Sequence, residues 1–454
     1  MKKIVGIIAA LALAGSVFAR PDITPVITEF KGDATLEWIA NLDGNTYGFS
    51  NGTGSSFKIQ MRSDDWGGDS TSGEGWWGEV TVRTGGGYTA EAGKTDPAND
   101  ELYKVPGGGS ITKDFYGWGL AKPEVSTAKI HFIDGDTYLN VDILKPDFKV
   151  GEIGYILAVR DPDWHNWEDY KFEKVGGFDY NGFTVNFGIP IVDLTLAFGD
   201  DGAKSFDEGH YGFKFAATLK PIDGLNIYAG IAKNTEENSD LALAFTAGYN
   251  YKINDQFYIK PAVQFDMVGD AKNLGAAVFF GWGAEGQCWN HDFLRLNNGL
   301  EFAWNQNRCA DGLSVLFTKN LADQGAAELR IDAYDNKLLN DFDIGTFTWG
   351  LSYRATESYA AGNKVTELGK GKLSFALIYN NNFDIFYLTA RASFGMNLAL
   401  DNDNTAVKYG LRFGTKELIA NTDVYADYVA SFSKYAGCDN NNKGTITLGT
   451  KISF

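Results

Sequence analysis

Segments in which apolar and polar residues alternate strictly recur along the second half of the chain. In residues 210–220, Phe213, Phe215 and Leu219 fall on one face of an extended strand, and Lys214 falls on the other. A period of two is the pattern of a β-strand whose two faces meet different surroundings. The alternation therefore predicts strands with one apolar face and one polar face.

The alternating segments are similar in length and are separated by turns and polar loops. They cover residues 182–189, 210–220, 240–249, 256–265, 274–282, 327–333, 347–354, 372–379, 407–413 and 445–454. They have 7 to 11 residues each, about the length that a tilted strand needs to cross a bilayer. We find no segment with a clear helical period of 3.6 residues.

The composition agrees with strands and tight turns. The chain has 54 glycines, 32 phenylalanines, 22 tyrosines and 11 tryptophans, but only 10 prolines. Its formal net charge is −18, and such a field repels nucleic acid, so we expect no nucleic-acid partner. The three cysteines are too few and too scattered for a disulfide framework or a zinc site. A bond between Cys288 and Cys309 remains open, and three incidental cysteines are the alternative.

The first residues resemble a secretory signal peptide. Lys2 and Lys3 precede an apolar run over residues 4–15, and Val17 to Ala19 place compact residues where signal peptidase requires them. We expect cleavage after Ala19. The signal peptide is then residues 1–19, and residues 20–454 form the exported protein. Downstream of residue 19 no run of about 18 apolar residues predicts a transmembrane helix.

Export and alternation together predict an all-β protein, a transmembrane antiparallel β-barrel of roughly 16–20 strands in the outer membrane. Residues 182–454 should supply regular barrel strands. Residues 20–181 alternate at 55–62, 79–84, 126–133 and 136–144 but carry long glycine-rich inserts. We expect a continuous, loop-rich barrel there, and a partly separate amino-terminal module is the alternative.

Charged residues in the middle of strands mark the predicted lumen face. They are Lys58, Arg62, Lys129, Lys214, Glu328, Arg330, Asp332, Lys408 and Arg412. Among them, we take Lys214, Glu328, Arg330, Asp332, Lys408 and Arg412 as candidate pore-lining residues. A solvated wall residue without a special role is the alternative for each one.

Counting strands back from the carboxyl end assigns the connections to two sides. Residues 379–383 and 415–422 fall on the inner side, whereas residues 401–405 and 433–444 fall outside. The same count puts the short turn 252–255 outside, although short turns belong inside in bacterial barrels. This conflict predicts an unrecognised strand between residues 267 and 340.

The chain ends on an alternating strand. Thr447, Gly449, Ile452 and Phe454 resemble the carboxy-terminal assembly signal of Gram-negative outer-membrane proteins. That resemblance implies recognition by the barrel assembly machinery, which adds such a strand to an open sheet edge.

Residues 30–43, FKGDATLEWIANLD, resemble the amino-terminal strand of the porin-like major outer sheath proteins of treponemes. The resemblance implies an abundant surface porin that forms a homo-oligomer, such as a trimer, and that also contacts host matrix proteins. This chain is short for that family, which leaves the family's separate amino-terminal domain in doubt.

A barrel of this size encloses an aqueous lumen. We therefore expect a porin that lets small hydrophilic solutes and ions diffuse passively, with a weak cation preference from the acidic surplus, embedded in outer-membrane lipid. The alternative is a surface adhesin or structural protein whose external loops bind host ligands, with the Trp-rich residues 63–78 as the first place to look.

We expect no enzyme and no cofactor. His131, His165, His210 and His291 are the only histidines, and their neighbours match no hydrolase or metal pattern.

Overall fold

The computed structural model describes the greater part of the chain. The described residues are 23–44, 46–63, 75–89, 103–105, 109–111, 124–144, 146–151, 175–178, 180–202, 209–282, 289–290, 294, 307–308, 311–338, 345–360, 363–398, 405–435 and 438–453. Residues 1–22 lie outside this set, so cleavage after Ala19 stays a prediction. The same holds for a bond between Cys288 and Cys309.

Twenty strands of the described residues form one antiparallel sheet. They are β1 (Ile23–Asn41), β2 (Thr46–Ser63), β3 (Gly75–Thr89), β4 (Glu124–Asp134), β5 (Thr137–Asp142), β6 (Asn181–Ile189), β7 (Val192–Asp200), β8 (Tyr211–Leu219), β9 (Leu225–Asn234), β10 (Ala242–Tyr249), β11 (Phe257–Val268), β12 (Ala271–Trp282), β13 (Gly312–Asn320), β14 (Ala327–Leu338), β15 (Thr346–Ala360), β16 (Lys372–Phe383), β17 (Phe386–Asn397), β18 (Thr405–Thr415), β19 (Thr422–Tyr435) and β20 (Cys438–Ser453). Shorter strands occur at Tyr103–Val105, Gly109–Ile111, Tyr251–Lys252, Trp289–Asn290, Asn307–Arg308 and Asn363–Thr366.

The sheet closes on itself. Each of the twenty strands pairs with the next along the chain, and β20 pairs with β1 from Asp33 opposite Ser453 to Asn41 opposite Thr445. A closed sheet has no free edge, so every strand has a hydrogen-bonded partner on both sides. The predicted antiparallel β-barrel of 16–20 strands is confirmed.

The outer face of the barrel is apolar. Large exposed hydrophobic side chains lie on the outward positions of strands from β6 to β20: Phe183, Leu196, Phe198, Phe213, Phe215, Phe245, Val263, Leu274, Phe317, Phe375, Leu411, Phe413, Phe432, Leu448 and Ile452. Their inward neighbours are buried and are often polar, as Lys214 is between Phe213 and Phe215. The structure thus shows which face of each alternating strand points outward, namely the apolar face.

The strand missing from the sequence count is β13. Its inward positions include Leu316, which is 4% exposed, and its outward positions include Leu313 and Phe317. Because both faces carry apolar residues, the run LSVLF hides the period of two. With β13 in place, the turn 252–255 falls at the same end of the barrel as residues 379–383 and 416–421.

The connections divide between two rims. The rim where β20 ends, here named the Ser453 rim, carries the tight turns 135–136, 190–191 and 384–385. The opposite rim carries the long connections 90–123 and 143–180. The predicted asymmetry is partial, because the long connection 283–311 joins strands at the Ser453 rim. The connection 64–74, within the Trp-rich region, also joins strands at the Ser453 rim, whereas residues 75–78 belong to β3.

No helix among the described residues has the length and apolar character needed to cross a membrane.

Tyrosines lying across facing glycines tighten the wall where the barrel closes. Tyr387, Gly414, Tyr425, Gly449 and Glu37 occupy one hydrogen-bonding row across β17, β18, β19, β20 and β1. Tyr425 donates a hydrogen bond to Glu37 across the intervening Gly449. A Cβ atom at Gly449 would lie 2.5 Å from the Tyr425 ring. The glycine therefore leaves room for the ring, and the ring covers the glycine backbone.

We predict that Gly449→Ala destabilises the barrel by about 1–3 kcal/mol, because the new methyl group must displace the Tyr425 ring. Unfolding of the detergent-solubilised protein followed by tryptophan fluorescence measures the change. Gly369→Ala is the matched control, since a Cβ atom there meets nothing within 4 Å. Equal stability of the two variants would contradict the proposed role of Gly449.

Candidate functional site

The candidate site is the inner wall of the barrel, where the structure places all six predicted pore-lining residues. Lys214 lies on β8, Glu328, Arg330 and Asp332 lie on β14, and Lys408 and Arg412 lie on β18. The structure brings these residues together within strands but not into one site. One cluster consists of Glu328, Arg330 and Asp332. Arg412 belongs to a second cluster, and Lys214 belongs to a third cluster.

The first cluster joins β14 and β15. Arg330 Nε donates a hydrogen bond of 2.6 Å to Asp332 Oδ2, and both side chains are at most 2% exposed. Arg354 on β15 pairs directly opposite Arg330 and lies 3.6 Å from Glu328. Two arginines in register are tolerated because each has a carboxylate close by.

The second cluster is centred on Asp427 of β19. Arg391 Nη2 donates to both carboxylate oxygens of Asp427, at 2.5 and 2.6 Å. Arg412 donates to Asp427 Oδ2 from Nη2 at 2.8 Å and stacks over the Tyr425 ring at 4.6 Å. Charge-assisted bonds of this kind fix the two guanidinium groups in position.

A separate group of charges, which contains none of the six predicted residues, lies on β2, β3 and β4. Glu79 lies 3.6 Å from both Lys58 and His131. The His131 ring stacks on Trp77 with centroids 5.0 Å apart, and its Nδ1 lies 2.7 Å from Asn140 Oδ1. His131 is thus a packed wall residue. The side chain of Arg62 lies outside the described residues.

A segment of the connection between β5 and β6 lies against the inner wall. Residues 146–151 are joined to residues 175–178 by backbone hydrogen bonds between Val150 and Val175, at 2.9 and 2.5 Å. We name residues 146–151 the inner segment. Its backbone donates hydrogen bonds to side chains of the wall: Thr184 Oγ1 accepts from the Asp147 amide at 2.9 Å, and Tyr228 OH accepts from the Gly151 amide at 3.1 Å.

Apolar contacts and one ion pair hold the inner segment. Val150, fully buried, packs among inward residues of β8, β9 and β10, namely Ala216, Tyr228, Ala232, Ala242 and Ala244. Lys214 Nζ lies 3.4 Å from Asp147 Oδ2, and the Lys214 side chain is 2% exposed. A lysine so deeply buried needs a nearby carboxylate, so Lys214 serves the inner segment directly.

The end of the same connection is fixed by Tyr180. Its hydroxyl donates a hydrogen bond of 2.6 Å to Glu236 in the connection between β9 and β10. Burial, together with this bond and the charge of Glu236, raises the pKa of Tyr180. The phenol therefore remains a protonated donor at neutral pH.

A cavity of about 550 Å³ lies at the Ser453 end of β16 to β19. Its polar lining includes Asn380, Thr389, Tyr387, Arg412, Lys416 and Asp423. Lys416 lies 5.3 Å from the centre of the Tyr387 ring, and Tyr387 OH donates to Asp423 at 2.8 Å. The cavity offers both charges and several hydrogen-bonding groups, which suits a hydrated or polar solute.

The carboxy-terminal residues divide between the faces as the alternation predicts. Thr447 and Gly449 occupy inward positions of β20, and Ile452 is exposed on the outside. Phe454 lies outside the described residues.

Sequence reasoning missed Arg354, Arg391, Asp427 and the inner segment. The first three occupy inward positions of β15, β17 and β19, and a count of charges at those positions would have found them. For the inner segment, the one available signal is the alternation of Phe148 and Val150 within a connection. Among the described residues, no group of three histidine, cysteine or acidic side chains could hold a metal ion.

Comparison with known proteins places the chain near treponemal surface proteins. No family model matches it. It is 34% identical to the major surface protein MspTL of Treponema lecithinolyticum over 171 residues, 37% of this chain and 25% of that protein. It is 33% identical to the major outer membrane protein MspA of Treponema maltophilum over 184 residues, 40% of this chain and 30% of that protein. The match thus spans less than a third of each relative's length.

The predicted resemblance to the treponemal outer sheath proteins is confirmed. The chain also aligns with solved barrels over nearly its whole length, at low similarity. A triple mutant of the Rhodopseudomonas blastica porin is 12% identical, with a TM-score of 0.32, over 94% of this chain and 99% of that one. Pseudomonas aeruginosa OccK5 is 9% identical, with a TM-score of 0.37, over 94% and 97%.

The closed sheet with its apolar outer face, together with the treponemal relatives, confirms the predicted outer-membrane location. The protein is a closed antiparallel β-barrel of twenty strands. Of the predicted histidines, His131 packs in the wall, and His210 Nδ1 lies 2.8 Å from Asp201 in a connection. His165 and His291 lie outside the described residues.

We predict that Asp147→Asn loosens the inner segment. The substitution removes the charge that faces Lys214, and we expect a loss of about 1–2 kcal/mol of local stability, since Asp147 is partly exposed and water screens the pair. Hydrogen exchange at the Val150 and Gly151 amides should accelerate. Asp136→Asn, in an exposed turn, is the control. Unchanged hydrogen exchange in Asp147→Asn would show that the ion pair with Lys214 does not stabilise the inner segment.

Proposed function

We propose that the barrel lets small hydrophilic solutes and ions diffuse passively across the outer membrane. The observation that carries this proposal is the contrast between the two faces of one closed sheet. Outward positions bear Phe, Leu and Ile, whereas inward positions bear Lys, Arg, Asp, Glu, Ser and Thr. A barrel of twenty strands is wide enough for an aqueous lumen.

The six predicted residues belong to the lumen wall in this proposal. Lys214 positions the inner segment, which narrows the lumen beside β8 to β10. Arg330 and Arg412 supply fixed positive charge, and Glu328 and Asp332 supply negative charge on β14. Lys408 lies on β18, four positions before Arg412. Together these residues set the field that a passing ion meets.

The proposed weak cation preference rests on the acidic surplus of the chain, which has 58 acidic and 40 basic residues. Carboxylates near the mouths raise the local concentration of cations. The preference is weak because the inner wall itself carries both signs.

The test of this function is conductance. The purified protein in a planar lipid bilayer should produce stepwise current increases, and a KCl gradient should give a small reversal potential of the sign expected for cations. A reversal potential of the opposite sign would contradict the cation preference alone. Complete absence of conductance from a correctly folded barrel would contradict the channel function.

We further propose that the last strand is an assembly signal, with Thr447, Gly449, Ile452 and Phe454 as its residues. Its alternation, its place as the closing strand next to β1, and the predicted signal peptide at residues 1–19 support the role. Export would bring the chain to the barrel assembly machinery in an unfolded state.

Deletion of Phe454 should reduce the amount of protein in the outer membrane several-fold, while refolding of the pure protein in detergent is unchanged. Ser453→Ala is the control. Quantitative blots of membrane fractions and heat-dependent gel mobility make the comparison. A deletion variant that reaches the membrane at the wild-type level would contradict the signal.

Attachment to host matrix proteins is the second candidate function. The observation that favours it is the similarity to proteins named major surface proteins. In a barrel whose short turns lie on the periplasmic side, the connections 90–123 and 143–180 join strands at the cell-surface rim, whereas the connection 64–74 joins strands at the periplasmic rim. Deletion of 90–123 should then abolish ligand binding without loss of conductance. Homo-oligomers, such as trimers, would place several such surfaces side by side.

A further inference from the structure

The inner wall of four consecutive strands carries positive charge only. Its cations are Arg354 on β15, Lys372 on β16, Arg391 on β17, and Lys408 and Arg412 on β18, which we name the cationic strip. Among the described residues of these strands, no acidic side chain shares the inward face. Glu357, the acidic residue of β15, occupies an outward position and lies 3.8 Å from Lys319.

Strand register spaces the cationic strip along the barrel. Arg354 and Lys372 are directly opposite each other near the rim that lies opposite the Ser453 rim. Lys408 shares a row with Ala376, four positions further along β16, and Arg412 shares a row with Asn380, eight positions further. With a rise of about 3.3 Å per residue, the strip covers about 26 Å of strand length. A solute crossing the lumen can therefore pass from one cation to the next.

Carboxylates of the flanking strands contact three of the strip's cations. Asp427 of β19 binds Arg391 and Arg412 together, and Glu328 of β14 lies 3.6 Å from Arg354. These contacts fix the arginines in place. Arg354 and Arg412 keep 26% and 28% of their side-chain surface exposed, so both can reach a solute in the lumen.

Apart from Ile378, the uncharged residues of the same wall are small or offer hydrogen-bond donors. Inward positions of β15 to β18 include Thr348, Ser352, Ser374, Asn380, Thr389 and Ser393. Hydroxyl and amide donors next to ammonium and guanidinium groups are the groups that bind oxyanions. Small residues such as Gly350, Ala376, Gly395 and Gly410 leave the longer cationic side chains accessible.

The sign of this wall is opposite to that of the whole chain, whose net charge is −18. The net charge of the chain therefore does not account for the positive charge of this wall. An acidic protein that needed only a hydrated channel would gain nothing from excluding carboxylates from the inward positions of β15 to β18. A local concentration of cations attracts and orders anions.

We propose that the cationic strip binds small organic anions that carry carboxylate or phosphate groups as they cross the lumen. This inference rests on the proposed diffusion function and names a solute class for it. Weak binding at successive cations favours entry and still permits release. A solute then meets the acidic residues of the mouths first and the basic strip afterwards. The strip therefore reduces the weak cation preference that the acidic residues give the channel.

The test uses the full-length protein in planar bilayers at low ionic strength. Succinate and glycerol 3-phosphate are added to one side, and the concentration that halves the KCl current is measured. The double variant Lys372→Gln with Lys408→Gln removes two cations of the strip but leaves its three arginines in place. We expect its half-blocking concentration to rise about fivefold. The reversal potential should also shift further toward cations.

The control removes two lysines from another part of the inner wall, Lys58→Gln with Lys129→Gln. An equal loss of block in the control variant would overturn the proposal, because the removal of lysines from any part of the inner wall would then weaken anion binding. Unaltered block in the strip variant would overturn it too. A response to only one probe supports the strip and assigns it to that anion. A wild-type protein without conductance would instead refute the diffusion function.

Discussion

The structure depends on one constraint: inside a lipid bilayer, every backbone N–H and C=O group must find its partner within the protein. Twenty antiparallel strands meet this constraint by closing, and the closure is made by the first and last strands. The row of Tyr387, Gly414, Tyr425, Gly449 and Glu37 lies across this part of the wall. Closure is therefore reinforced by side chains as well as by the backbone ladder.

Closure fixes the chemistry of both faces. Once the sheet is a ring, outward positions meet acyl chains and inward positions line a common lumen. The inner wall is not uniform, however. On one side the inner segment packs against small apolar residues around Val150, and on the other side the guanidinium groups of Arg391 and Arg412 meet at Asp427. In the proposed channel, a solute would pass between a wall that narrows the lumen and a wall that carries charge.

Most of the fold could be predicted from the sequence because the period of two reports directly on two different environments. Phe213, Lys214 and Phe215 gave the correct faces for β8. The period failed at β13, where Leu316 faces inward and makes both faces apolar. The inner segment was missed because its packing depends on contacts between residues far apart in sequence, such as Gly151 and Tyr228, which no local pattern encodes.

The inward position of six charged residues could be predicted from the sequence, but their arrangement and several of their partners could not. Lys214 and Arg412 were recognised as inward charges, yet their partners Asp147 and Asp427 follow from strand register and from the path of a connection. To predict the cationic strip, one must know that β15 to β18 are neighbours. One must also know the strand register that brings their inward residues onto one wall. Charge balance over the whole chain conceals it, since the acidic surplus lies elsewhere.

The most direct test of the central claim is a measurement of what surrounds alternate residues of β18 in a lipid bilayer. In a protein whose three cysteines are replaced by serine, spin labels are placed at Lys408, Tyr409, Leu411 and Arg412 in turn. We predict that labels at 409 and 411 collide preferentially with lipid-soluble oxygen, and that labels at 408 and 412 collide preferentially with a water-soluble nickel chelate. Equal accessibility at all four positions, or the reverse pattern, would contradict a barrel with an apolar exterior and a wet interior.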